Sequence, residues 1–123
     1  MMLLKKFRMG KKEKCLGMKN IHFIQLLASY RFKPSNFKKL IEGALKNEIN
    51  AISEIILNVL KGNLPCGKEK EKLRKKASYL RYIGDYKNPC TKRKEYLVKK
   101  GNGIIGPLLS IAVPALISLF SRK

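Results

Sequence analysis

The sequence predicts an all-α protein: a small helical domain around one central amphipathic helix, with a disordered basic N-terminal arm and an apolar C-terminal tail. Three observations carry this. Between Asn36 and Leu60, apolar residues fall at Phe37, Leu40, Ile41, Ala44, Leu45, Ile49, Ile52, Ile55, Ile56, Val59 and Leu60, the three-and-four spacing of one helix stripe. A narrower stripe of Leu73, Ala77, Leu80 and Ile83 runs through a stretch otherwise rich in Lys and Arg. Charge is also segregated. Lys38, Lys39 and Lys46 balance Glu42, Glu48 and Glu54 in the central stretch, so the rest of the chain carries the whole net charge of +20.

Each segment follows from its residues. Residues 1–35 begin as a basic arm, with Lys5, Lys6, Arg8, Lys11, Lys12, Lys14 and Lys19, in which Gly10 and Gly17 interrupt any helix. A short apolar run, Ile21 to Ala28, is expected to form a helix of about two turns packed on the central one. A signal peptide fits this region poorly, because His22 and Gln25 lie in the apolar run and Ser29-Tyr30-Arg31 is a poor cleavage site. A mitochondrial targeting segment fits its basic, acid-poor composition better. Residues 36–60 form the central helix, with Asn36 as N-cap after Pro34 and with Gly62 and Pro65 beyond its end.

Residues 61–100 hold 14 Lys or Arg against four acids, which marks them as the working part of a binding protein. A helix is expected from Lys68 to Tyr82, broken by Gly84-Asp85 and Asn88-Pro89, and a second from Thr91 to Lys100. Lys68, Lys70, Lys72, Arg74, Lys75, Lys76, Arg81, Lys92, Arg93, Lys94, Lys99 and Lys100 are the candidate nucleic-acid-binding residues. Lys92, Arg93 and Lys94 stand near a helix start, where cations oppose the macrodipole and a bound phosphate would remove the penalty. Tyr79, Tyr82 and Tyr86 are interleaved with the charges, either as base-stacking platforms or as the rim of the core.

From Gly101 to Ser121 no residue is charged. Its centre, Ile104 to Phe120, is at the short limit for a bilayer of ~30 Å. Pro107 and Pro114 interrupt it, and Lys99, Lys100, Arg122 and Lys123 flank it. Two readings stay open. The tail folds back on the central helix as core, or it acts at membranes through Ile104, Ile105, Leu108, Leu109, Ile111, Val113, Leu116, Ile117, Leu119 and Phe120.

Composition narrows the partner. With 28 Lys and Arg against 8 Asp and Glu, like charges oppose compaction until a polyanion neutralises them. Nucleic acid and an anionic membrane are the natural candidates. Lysine dominates, and a point charge without a planar fork favours sequence-independent phosphate contact over base reading. The sequence holds no phosphate-binding glycine loop, HExxH or GxSxG motif, and its acids are few and scattered. A non-enzymatic protein without cofactor or metal is therefore expected. Cys15, Cys66 and Cys90 are widely spaced and suit a reducing compartment, with a Cys66–Cys90 pair left open. The central helix is too long for so short a chain to cover, so a homo-oligomer is expected.

The order of segments adds a resemblance. A Leu/Ile-rich helix ends in Asn58-Val59-Leu60-Lys61-Gly62-Asn63-Leu64-Pro65, a Lys/Arg-rich helix follows, and Lys92-Arg93-Lys94 leads through Leu97-Val98-Lys99-Lys100-Gly101 into the apolar Gly/Pro tail. This resembles the small basic virion core proteins of Maverick/Polinton-type elements and adintoviruses over residues 37–120. Over residues 92–120 it is similar to the adenoviral core protein X (mu) precursor. The resemblance implies a viral structural protein of the virion and host nucleus that binds and condenses genomic DNA, with capsid proteins as further partners. Two features depart from the pattern: Asn102 separates Gly101 from Gly103 where a Gly pair would stand, and no clean processing site is present. A membrane-associated basic protein held by its tail, and an RNA- or ribosome-associated structural protein, are the competing readings.

Overall fold

A computed structural model describes residues 16–62 and 70–121. These are helical throughout, with short turns and no strand among the described residues. The helices are α1 (Leu16–Lys19), α2 (Ile21–Ser29), α3 (Pro34–Glu42), α4 (Lys46–Leu60), α5 (Lys70–Lys75), α6 (Ala77–Ile83) and α7 (Cys90–Ser121). The all-α class read from the sequence therefore holds. The expected arm lies mostly outside the described residues.

α2 forms where the short apolar run predicts a helix and buries Ile24, Leu27 and Ala28. Lys33 then precedes Pro34, which disfavours helical geometry at Lys33 and presets the first residue of α3. Asn36 is thus inside α3, two residues past the helix start.

The helix expected over Asn36–Leu60 is two helices. α3 stops at Gly43, a weak helix former, and α4 starts again after Leu45. The Leu45 N–H donates to the Glu48 carboxylate at 2.8 Å, the acidic half of a capping box. The break was hidden because Ala44 stays buried across it, so the apolar spacing continues in sequence while the backbone turns.

α4 is buried around more of its circumference than a stripe requires. Every residue from Ala51 to Ile56 is buried, including Ser53 and Glu54. It is a helix enclosed by α1, α6 and α7 rather than one lying on a surface. At its end Gly62 takes a positive φ of 81°, the left-handed turn that closes many helices. The basic helix expected over Lys68–Tyr82 is likewise interrupted, at Lys76, between α5 and α6.

The largest departure is α7. The short helix expected from Thr91 to Lys100 and the apolar tail are one helical element, whose axis turns by 96° between Cys90–Gly101 and Gly103–Ser118. The element as a whole packs chiefly against α2 and α3. Ile104, Ile105, Leu108, Leu109, Ala112, Val113 and Leu116 are buried, one face of a helix spaced by one, three and four. Pro114 lies inside the second half, on its exposed side.

The tail assignment changes accordingly. Of the ten proposed membrane residues, Ile104, Ile105, Leu108, Leu109, Val113 and Leu116 are core, and Ile111 and Ile117 are half-buried. The side chains of Leu119 and Phe120 lie outside the described set. Lipid contact by the six would require the tail to leave the core. Each buried side chain of this size contributes ~1.5–3 kcal/mol, against a net domain stability of ~5–15 kcal/mol. Among the described residues no single helix is long and apolar enough to cross a membrane. The two halves of α7 satisfy length and composition only together.

Two glycines permit this packing. A Cβ at Gly106 would stand 2.8 Å from Cβ and 2.9 Å from Cα of Arg31, and one at Gly101 would stand 2.9 Å from the Phe37 ring. Gly103, between them, faces open space.

Two outcomes test this arrangement. Gly106→Ala should lower the unfolding free energy by ~1–3 kcal/mol, because backbone of α7 and the Arg31 segment must separate. Gly103→Ala should be neutral or stabilise by up to ~1 kcal/mol through helix propensity. Urea melts of both variants check the pair, and equal effects would contradict the close approach. Removing residues 101–123 should abolish the cooperative melt, since it strips the larger apolar face from α2 and α3. A truncated chain that melts like the parent would show the tail to be dispensable to the core.

Candidate nucleic-acid interface

The orientation of α7 decides which charges face outward. Arg93, Leu97 and Gly101 follow one another at intervals of four and all point inward. Lys92, Tyr96, Lys99 and Lys100 are exposed; Lys92 and Lys99 lie away from that stripe, while Tyr96 and Lys100 flank it.

Arg93 corrects the sequence reading. It is 2% exposed and holds no phosphate-binding position. Its Nε donates to the Asn88 carbonyl at 3.0 Å, Nη1 to Ser53 Oγ at 2.6 Å and Nη2 to Asn50 Oδ1 at 2.9 Å. Ser53 in turn donates its own hydroxyl to the Ile83 carbonyl at the end of α6. A buried guanidinium needs such acceptors, and these are all uncharged oxygens. Nothing in Lys92-Arg93-Lys94 as a sequence separates the inward residue from its neighbours. The only clue is the interval of four to Leu97.

Lys94 is half-buried and its Nζ donates to the Glu42 carbonyl at 3.2 Å, a cation at the C-terminal end of α3. Lys92 is exposed and pairs with Glu95 at 3.9 Å. Both remain near the surface, with part of their charge locally engaged.

Lys99 and Lys100 are both exposed. On one side they line a groove of about 490 Å³ with Ser78, Tyr79, Tyr82 and Tyr96. On the other they line a depression of about 530 Å³ with Ser35 and Lys38 of α3. Lys99 also borders a third, with Lys94 and Glu42. The ridge of these two lysines thus separates an aromatic groove from a basic one.

The tyrosines are ordered by contact between α6 and α7. Tyr82 stacks on Tyr96 with ring centroids 4.2 Å apart and planes 11° apart. Tyr79 stands 6.1 Å from Tyr96 at 21°, and its hydroxyl donates to the Tyr96 carbonyl at 2.9 Å. Burial pushes the Tyr79 phenol well above the usual tyrosine range, so it stays protonated and keeps that bond.

The remaining candidates are dispersed. Arg74, Lys75 and Lys76 are exposed on and beside α5, with Arg74 paired to Glu71 at 3.5 Å. Arg81 opens onto a different depression, with Lys61 and Lys87. Lys68 lies outside the described residues, and so do the side chains of Lys70 and Lys72 in α5. Sequence reasoning missed three contributors. Lys38 sat in the electrically neutral stretch and Ser35 beside it, and Tyr96 was passed over although it precedes Lys99 and Lys100 by three and four residues.

Among the described residues no group of three or more His, Cys, Asp or Glu is placed to hold a metal ion. Cys90 is a half-buried free thiol, and Cys66 lies outside the described residues. No protein-family model matches the chain, and neither a curated protein nor a solved structure matches it.

Because Arg93 joins the core rather than the binding surface, Arg93→Met should lower the unfolding free energy by ~2–4 kcal/mol, orphaning its oxygen partners. The neighbouring exposed change Lys92→Met should stay within ~0.5 kcal/mol. Urea denaturation of the two variants measures the contrast. Parent-like stability of Arg93→Met would place the guanidinium outside the core.

Proposed function

We propose that this chain is a non-enzymatic structural protein that binds DNA through phosphate contacts without reading its sequence, and condenses it. The observation that carries the reading is charge: +20 on 123 residues, with Lys38, Lys75, Lys76, Arg81, Lys99 and Lys100 exposed around a compact apolar core. Duplex DNA carries one charge per ~1.7 Å, and each lysine that neutralises a phosphate releases a counterion. Basic side chains on more than one side of the molecule suit bridging two duplexes, which is what condensation needs. The Lys99–Lys100 ridge, with Lys38 across the depression from it, is its best-defined contact.

The place of the protein in a virion core, and hence in a host nucleus, rests on the resemblance in segment order to the proteins of Maverick/Polinton-type elements and adintoviruses. A genome packed in a capsid needs a counter-charge of this kind, and capsid proteins are the further partners that reading supplies. Self-association would multiply the bridging.

A membrane-associated reading draws on the combined length of the two halves of α7. It requires Ile105, Leu108 and Leu109 to exchange core for lipid, so we favour the tail as a structural element. An RNA-associated role uses the same phosphate chemistry and is separated by experiment.

The proposal is tested by the salt dependence of duplex binding. The log of affinity should fall linearly with the log of salt concentration, for any DNA sequence. Substituting Lys38, Lys99 and Lys100 together by Gln should reduce the slope by about 0.9 for each phosphate no longer neutralised. Light scattering should report particles of condensed DNA at charge neutrality. A slope untouched by the triple substitution would remove this surface from the interface. Equal affinity for neutral polymers would end the phosphate reading.

A further inference from the structure

We propose that the groove between α6 and the first half of α7 takes an unpaired nucleotide of single-stranded DNA, its base on the Tyr82–Tyr96 stack and its phosphates on Lys99 and Lys100. The inference rests on the nucleic-acid reading above and adds a preference to it.

The ring pair supplies the first argument. At 4.2 Å and 11°, Tyr82 and Tyr96 form an ordered offset stack, and Tyr96 is 38% exposed. Tyr79, Tyr82 and Tyr96 line the groove together, so a flat ring entering it meets aromatic surface, and every base has a face to offer. The platform is rigid. Tyr79 is held by its hydrogen bond to the Tyr96 carbonyl, which ties α6 to the turn of α7 that carries the platform.

Charge supplies the second. Lys99 and Lys100 lie three and four residues after Tyr96, on the same helix face, and line the same groove. A base seated on the rings therefore has its sugar-phosphate beside two ammonium groups. The groove, at about 490 Å³, lies within the ~300–1,000 Å³ range of small-ligand sites. Stacking and ammonium contacts read no donor and acceptor pattern, so the site would take any base.

Geometry supplies the third. In a duplex the base faces are covered by their neighbours, so a duplex can use the lysines but not the rings. Single strands use both. The groove thus separates the two forms of DNA, whereas the dispersed lysines elsewhere do not.

The chain has no tryptophan and five tyrosines, three of them in this groove, so its intrinsic fluorescence reports the site directly. The experiment titrates the full chain with oligothymidine, and with a duplex of equal phosphate number, at one salt concentration. Tyrosine fluorescence and the anisotropy of labelled DNA are both read. Oligothymidine should quench the fluorescence saturably and the duplex much less. Tyr96→Leu and Tyr82→Leu should each lower oligothymidine affinity by about tenfold, leaving duplex affinity and its salt slope unchanged. Tyr96→Phe, which keeps the ring, should bind like the parent. Thermal melts establish that each variant folds, and the quenching of the unaltered chain decides the question even if a leucine variant does not. Three results overturn the proposal: no quenching by oligothymidine, equal weakening for both forms of DNA, or unchanged binding in both leucine variants. If duplex binding keeps its salt slope in those cases, the phosphate reading stands and only the groove is excluded. Failure to bind either form removes both.

Discussion

The guanidinium of Arg93 connects four parts of the chain. It holds two turns of α4 through Asn50 and Ser53, the turn before α7 through Asn88, and by way of Ser53 the end of α6. With α7 fixed in rotation by this residue, Leu97 and Gly101 follow it inward, and Tyr96, Lys99 and Lys100 are left on the outside. The buried charge carries a desolvation cost that only multiple hydrogen bonds offset. The outward surface is in this sense a consequence of an inward contact.

A net charge of +20 and a packed core coexist because the two are sorted along the elements. α4 and the second half of α7 carry the burial, while α3, α5, α6 and the first half of α7 carry most of the described charge. The exposed ion pairs Arg74–Glu71 and Lys92–Glu95 are local, three residues apart, and add little stability in water. What resists the self-repulsion is apolar packing. That makes the close approach of α7 to Arg31 and Phe37, which only glycine allows at positions 106 and 101, a condition of the fold.

Helical class was legible because period and breakers act locally. The apolar spacing marked the residues of α3 and α4, and Gly62 marked where α4 ends. The break at Gly43–Leu45 was not legible, because the buried side chains keep a helical rhythm across a non-helical turn. The tail was ambiguous for a different reason. A run of uncharged apolar residues has the same composition whether its surroundings are lipid or protein, and only the partner faces on α2 and α3 decide. Of the candidate surface, the charge was plain in composition and its location was not. Lys99 and Lys100 meet Lys38 only through tertiary packing, and Arg93 differs from Lys92 and Lys94 only by its angle on the helix.

The continuity of α7 has a thermodynamic corollary. The same element presents Lys99 and Lys100 to solvent and, a few residues on, inserts Ile105 and Leu108 into the core. A polyanion that binds the first half in its folded arrangement more tightly than the unfolded chain would favour the folded arrangement of the second, by mass action. It also relieves the repulsion that opposes folding across the whole surface. A polyanion that binds the folded chain more tightly than the unfolded one would therefore link its own occupancy to folding.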